Sequence, residues 1–192
     1  MFKFYVRRAA FLALSAVMVW GFLGWSCPVK AEGRDPSWAE PLAVGGLPNL
    51  HKVTENLYRS AQPDAEGLRN AEAMGIKTVL NLRAMHSDDE LAEGTGLTLV
   101  RVPINTWSLD EEELLATLRV ILEAKGPVLV HCRHGADRTG TVVAAYRMVV
   151  QNWPRDKAIS EMTEGGYGFH SMWGNLITFL EKLDVERLRA QL

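Results

Sequence analysis

Residues 127–140 read PVLVHCRHGADRTG. The run Pro127–His131 is apolar up to its last residue and lacks polar alternation, as expected of a short strand buried on both faces of a parallel sheet. A polar loop follows, and a helix is predicted from about Thr139 to Trp153, with Val142, Tyr146, Val149 and Trp153 on one face. A buried strand that feeds a helix through a tight loop is a building unit of α/β folds, whose ligands gather where loops leave the carboxyl ends of the strands.

Outward from that unit the pattern repeats. Upstream, Val53–Tyr58 is predicted as a short strand, Asp64–Met74 as a helix stopped by Gly75, and Ile76–Leu82 as a second strand. Ser87–Glu90 is predicted to open a short helix, and Leu97–Ile104 to form a further strand. Asp110–Ala124 has the pattern of an amphipathic helix, with Glu111, Glu112 and Glu113 at its positive end and Leu115, Leu118 and Leu122 on its inner face. Downstream, one helix is expected from Pro154 to Gly165 and a last one over 171–188, with Leu176, Leu180 and Leu183 facing inward. The expected fold class is α/β, a central and mainly parallel sheet flanked by helices. Residues 32–50, with Pro, Gly and no periodicity, read as a linker into a single domain over 51–192.

The chain's composition is that of an ordinary globular protein: of 192 residues, 47% are hydrophobic and 23% charged, which excludes a disordered tail or a polytopic membrane protein. The formal charge of −2 understates the acidity of the body, because residues 1–31 hold Lys3, Arg7, Arg8 and Lys30 and no acid. An acidic body disfavours binding to nucleic acid. Within 1–31 a basic start precedes an uncharged apolar run from Ala9 to Trp25, and Val29-Lys30-Ala31 places small residues where a signal peptidase cuts. Residues 1–31 are therefore expected to be a signal peptide cleaved after Ala31, with an uncleaved anchor as the alternative; both readings export the body to the periplasm, in the second case held against the inner membrane. Cys27 would leave with the signal, and Cys132 would remain as a lone thiol.

The surroundings of Cys132 give that thiol a chemistry. Five residues separate it from Arg138, enough for Arg133, His134, Gly135, Ala136 and Asp137 to curl into a semicircle whose N–H groups converge at a helix N-terminus. A tetrahedral dianion fits such a cradle, and the planar guanidinium of Arg138 can grip two of its oxygens. Positive surroundings favour the thiolate, which is the nucleophilic form. The reaction implied is attack of Cys132 on phosphorus, followed by hydrolysis of the phosphocysteine by water. Thr139 is placed to donate to the sulfur as it leaves, and His131 to steady the loop from behind. No metal or other cofactor is needed: His131, Cys132 and His134 have no second ligand cluster to complete a site. Arg59 and Arg83 read as surface or salt-bridge residues, and Trp107 as core or rim packing.

The segment HCRHGADRTG resembles the His-Cys-x5-Arg-Thr/Ser-Gly signature of protein tyrosine and dual-specificity phosphatases, and the chain is most similar to the small exported bacterial members. The resemblance extends over about residues 50–185 and includes LYRSAQP at 57–63 and GYGFH at 166–170. It implies a cysteine-dependent phosphatase fold, Cys132 as nucleophile, Arg138 as phosphate binder, Thr139 as helper in hydrolysis and a phosphorylated protein as substrate. An inositol-phosphate or phosphoinositide phosphatase is one alternative, and a phosphate-binding pseudophosphatase another. The chain departs from the family where a general-acid aspartate is usual: the corresponding position holds Asn105, whose amide has no proton to give. Asp110 is the nearest downstream carboxylate, but it reads better as a helix N-terminal residue. Asp137 precedes Arg138 as in some lipid phosphatases that use it as acid; that role and a loop-fastening ion pair both stay open.

Overall fold

A computed structural model describes residues 34–192. The 1–31 signal reading therefore lies outside the described residues. Strands β1 (Glu40–Pro41), β2 (His51–Thr54), β3 (Leu57–Ser60), β4 (Thr78–Arg83), β5 (Thr98–Ile104) and β6 (Val128–His131) form one sheet in the order β1-β2-β3-β6-β4-β5. The four strands from β3 to β5 are parallel, and β1 and β2 add an antiparallel edge. The helices are α1 (Ala65–Ala73), α2 (Glu111–Glu123), α3 (Asp137–Val149), α4 (Arg155–Glu164), α5 (Gly174–Lys182) and α6 (Val185–Ala190).

The period of two along a strand divides the core. Val128 and Val130 of β6, with Leu80 and Leu82 of β4, pack with α3 and with Leu114, Leu118 and Ile121 of α2. Leu129 packs on the opposite side with Ala71 of α1, Ile76, Leu47 and Leu50. Continuing the alternation, Cys132 belongs to the α3 cluster, whereas His131 points the other way. Helix α3 is buried along almost its whole length, and α2, α4, α5 and α6 all pack against it. β5 closes the sheet as an edge strand and so tolerates Pro103.

The structure corrects several expectations. Val53–Tyr58 is two strands joined by a turn at Glu55-Asn56. No helix forms over 87–90, where a turn begins only at Asp89, and the last predicted helix breaks into a 3-10 turn at Ser171–Trp173 followed by α5 and α6. The buried face of α2 is Leu114, Thr117, Leu118 and Ile121, with Leu122 exposed, a rotation of the face away from the one read from the leucines alone. Residues 34–50 are not a free linker: Ala39, Leu47 and Leu50 are buried, and β1 pairs with β2.

That N-terminal stretch is tied down through a buried ion pair. Glu161 of α4 takes the Arg147 guanidinium of α3 at 2.7 and 2.9 Å, the Ala39 N–H at 2.7 Å and the Tyr167 hydroxyl at 3.1 Å. Burial opposes ionisation of Glu161, but these donors together with the charge of Arg147 outweigh it and hold the carboxyl below the ordinary glutamate range. Its contribution to stability is therefore complete above the unfolded-state pKa of about 4.3 and is lost as the pH falls through the folded-state value. Glu161→Ala should cost about 3–5 kcal/mol by leaving Arg147 buried and unpaired. Urea melts will check this, and the same melts repeated in acid should show a shallower pH dependence for Glu161→Gln than for the wild type.

Candidate active site

Cys132 directly follows β6 and is buried, with 2% of its surface exposed. Beyond it the chain is held by its carbonyls: the Gln62 N–H donates to Arg133 O at 3.3 Å, Asn49 Nδ2 to His134 O at 2.9 Å and Arg59 Nη2 to Gly135 O at 2.7 Å. In a trans peptide the N–H points opposite to the carbonyl. With three consecutive carbonyls tethered outward, the N–H groups of His134, Gly135 and Ala136 turn to the inside of the loop, forming the expected cradle. The curl requires glycine at 135. Its φ is +69°, and a Cβ there would lie 2.5 Å from the Ser60 carbonyl carbon and 2.6 Å from the Ala61 nitrogen.

Cations surround this loop. Arg138, in the first turn of α3, donates weakly through Nη1 to Ile104 O at 3.3 Å and Leu82 O at 3.5 Å, at the carboxyl ends of β5 and β4. These contacts span the guanidinium across the sheet edge and leave its other nitrogens without a partner among the described residues. Arg83, at the end of β4, has its pKa drawn down first by burial and then by the charges of Arg133 and Arg138, so three guanidinium groups share one small region. Arg59, read as a surface residue, is fully buried. Its guanidinium lies 3.6 Å from the centroid of the Tyr167 ring, and its Nε and Nη1 have no hydrogen-bond partner among the described residues. Burial lowers its pKa, opposed by negative potential from Tyr167, Glu161 and Cys132.

On the opposite face of β6 the fully buried His131 donates through Nε2 to Asp88 Oδ2 at 2.8 Å. Asp88 Oδ1 accepts from Gln62 Nε2 at 2.7 Å, and Gln62 Oε1 accepts from Arg83 at 3.1 Å. Burial of Asp88 opposes its ionisation, yet the bonds from His131 and Gln62 and the nearby His86 hold its carboxyl below the usual range. This chain of contacts fastens the strand end before Cys132 to the loop after β4. Neither Asp88 nor Arg59 stands out in the sequence as part of the site. Asp88 lay in an acidic run resembling a helix start, and only the LYRSAQP segment pointed toward Arg59.

The candidate general acids separate clearly. Asp110 is exposed and caps α2, accepting from Glu113 N–H at 2.8 Å while Glu113 returns a bond to its backbone, a complete capping box remote in role from the loop. Asn105 follows β5 directly, beside Ile104, whose carbonyl holds Arg138. Asp137 is buried and faces His170, taking its backbone N–H at 2.9 Å and its Nδ1 at 2.9 and 3.1 Å. The loop-fastening role of Asp137 is thus the one formed. Among the described residues the buried Thr139 hydroxyl has no hydrogen-bond partner. Trp107, expected to pack, is 71% exposed on the loop after β5. One ligating atom each from His134, Asp137 and His170 lie within 4.8 Å of one another.

Comparison with known proteins agrees with this geometry. The family model described as a polymorphic toxin system DSP-PTPase phosphatase matches residues 53–151, about half of the chain. The chain is 36% identical over 162 residues to the dual specificity protein phosphatase TpbA of Pseudomonas aeruginosa, covering 83% of this chain and 72% of that protein. Its structure is similar to crystal structures of TpbA, free (TM-score 0.75) and as a cysteine-to-serine variant in complex with phosphotyrosine (TM-score 0.74). Each is 32% identical and spans 82% of this chain and 97% of that one. The catalytic core of the Saccharomyces cerevisiae phosphatase SIW14 shares the fold at a TM-score of 0.67 and 23% identity, over 78% of this chain and 93% of that one. A cysteine cradle of this geometry, with a matching family model and a relative of this identity over most of its length, places the chain in the DSP-PTPase family of dual-specificity and tyrosine phosphatases.

Proposed function

We propose that this chain hydrolyses phosphotyrosine in proteins, and phosphoserine or phosphothreonine at the same site, through a phosphocysteine formed on Cys132. The observation that carries this reading is the buried thiol at the floor of a loop whose tethered carbonyls turn its N–H groups inward and which ends on Arg138. Cys132 attacks phosphorus while the loop amides and Arg138 hold the equatorial oxygens; these donors are preorganised where charge develops. Water then displaces the sulfur, and the unpartnered Thr139 hydroxyl is available to donate to it. The phosphotyrosine complex of TpbA supports an aromatic substrate. Exposed apolar side chains support a protein substrate: Met85 follows β4, Trp107 follows β5, and Met172 lies two residues beyond His170, which contacts the loop. The cations Arg83, Arg133 and Arg138 favour a second reading, a more highly phosphorylated small molecule such as an inositol phosphate.

Export is also proposed, on the basic start, apolar run and Val29-Lys30-Ala31 of residues 1–31. The enzyme then works in the periplasm, released or anchored to the inner membrane. Residues 1–31 fused to a reporter active only outside the cytoplasm should give a signal, and a silent fusion would refute export.

Phosphate release from phosphotyrosine, phosphoserine, phosphothreonine and inositol-phosphate substrates tests the reaction. Cys132→Ser should abolish turnover while retaining phosphopeptide binding, and vanadate should inhibit the wild type; activity surviving in Cys132→Ser would discard the mechanism. Gly135→Ala, which forces the loop off the Ser60–Ala61 backbone, should lower kcat/KM by about a hundredfold, the order expected for an ångström of misplacement. Circular dichroism of the same variant will separate a displaced loop from an unfolded chain.

A further inference from the structure

Cleavage of phosphotyrosine releases a phenolate, a base of pKa about 10, so the departing oxygen needs a proton. Neither carboxylate joined to the loop is free to supply it. Asp88 is buried behind β6 with its oxygens on His131 and Gln62, and Asp137 has both oxygens on His170. Asp110 caps α2, and position 105 is an amide. Two imidazoles meet at the loop, those of His134 and His170, while His86 stands beside Asp88 on the loop after β4.

We infer that His170, clamped by Asp137, is the general acid of the cleavage step; this rests on the phosphatase reaction proposed above. The clamp has two points: the His170 N–H donates to Asp137 Oδ1 at 2.9 Å and its Nδ1 meets Oδ2 at 2.9 Å. With Nδ1 committed to the carboxylate, the ring orientation is set and Nε2 is left to exchange a proton, on a side chain 45% exposed. This is the division of labour by which a carboxylate orients a catalytic imidazole in other enzymes. The ring lies 5.2 Å from that of His134, a residue of the loop itself, so it stands beside the loop. Asp137 and His134 are the titratable groups that face it, and Ser171–Asn175 after it bring no charge. Burial and the charges of His170, Arg133 and Arg138 pull the His134 pKa down against the opposing pull of Asp137, which disfavours its protonated form.

The step balances without a further reactant. As the Cys132 sulfur bonds to phosphorus and the P–O bond breaks, the Nε2 proton passes to the phenolic oxygen and leaves a neutral imidazole. That imidazole takes a proton from the water that next attacks phosphorus, the S–P bond breaks, and the thiolate, inorganic phosphate and protonated His170 are regenerated.

The test compares kcat/KM for a phosphotyrosine peptide with that for p-nitrophenyl phosphate, whose weakly basic leaving group needs little protonation. His170→Gln keeps a donor for Asp137 but has no proton to transfer. It should lose about a hundredfold on phosphotyrosine, the order of a general-acid contribution, and less than about fivefold on p-nitrophenyl phosphate. His170→Ala should show the same split. An equal loss on both substrates, or no loss on phosphotyrosine, would overturn the assignment. All assays run with and without EDTA: unchanged rates support proton transfer by the ring, and loss of activity on chelation would assign the His134–Asp137–His170 group to a metal instead. Failure of the phosphatase reading itself would appear separately, as wild-type protein inactive on both substrates.

Discussion

Two backbones pressed together govern this molecule. The loop after β6 curls tightly enough to hold a phosphate only because Gly135 lies against the peptide of Ser60 and Ala61, a space that admits no Cβ. The partner in that contact is the end of β3, whose place is set by parallel pairing with β6 from Leu57 opposite Val128 to Ser60 opposite His131. Register in the sheet is therefore transmitted to the site. A slip of one residue would exchange the faces of His131 and Cys132, turning the thiol toward Asp88 and away from α3.

Charge follows from the same arrangement. β3 also delivers Arg59 beneath the loop, where it holds Gly135 O and, among the described residues, carries unpartnered donors in a fully buried place. A cation buried without a carboxylate of its own is costly, and in the reaction proposed above a phosphate held by the loop offsets that cost. Glu161 is the contrasting case. It is buried as deeply, but Arg147, Ala39 and Tyr167 satisfy it completely, and it binds α3, α4 and the N-terminal stretch into one body. Tyr167 joins the two systems, with its hydroxyl on Glu161 and its ring under Arg59.

Expectations failed where a pattern was shared between two causes. The acids of 87–90 resemble the first turn of a helix, yet Asp88 turns inward because a buried imidazole offers it a stronger partner than a helix terminus would. Residues 34–50 lack periodicity, as a linker does, but three apolar side chains separated by turns are enough to seat an irregular segment on a sheet. In α2 the face through Leu115 and Leu122 is not the buried one, since Leu114 and Ile121 join Leu118 in the stripe packed into the core.

The sequence by itself determined the strand–loop–helix around Cys132, the mainly parallel α/β class and the phosphatase family to which the chain belongs. Those features rest on neighbours within a few positions, where strand period, helix entry and the Cys132–Arg138 spacing are local facts. Only tertiary structure decided what surrounds the cradle: Arg59 meets Gly135 across 76 residues, Asp88 meets His131 across 43, and Asp137 meets His170 across 33. No local rule specifies such pairs. They form because closing the sheet and laying α3 and α4 over it bury polar groups that must then be satisfied by whatever the fold brings within reach.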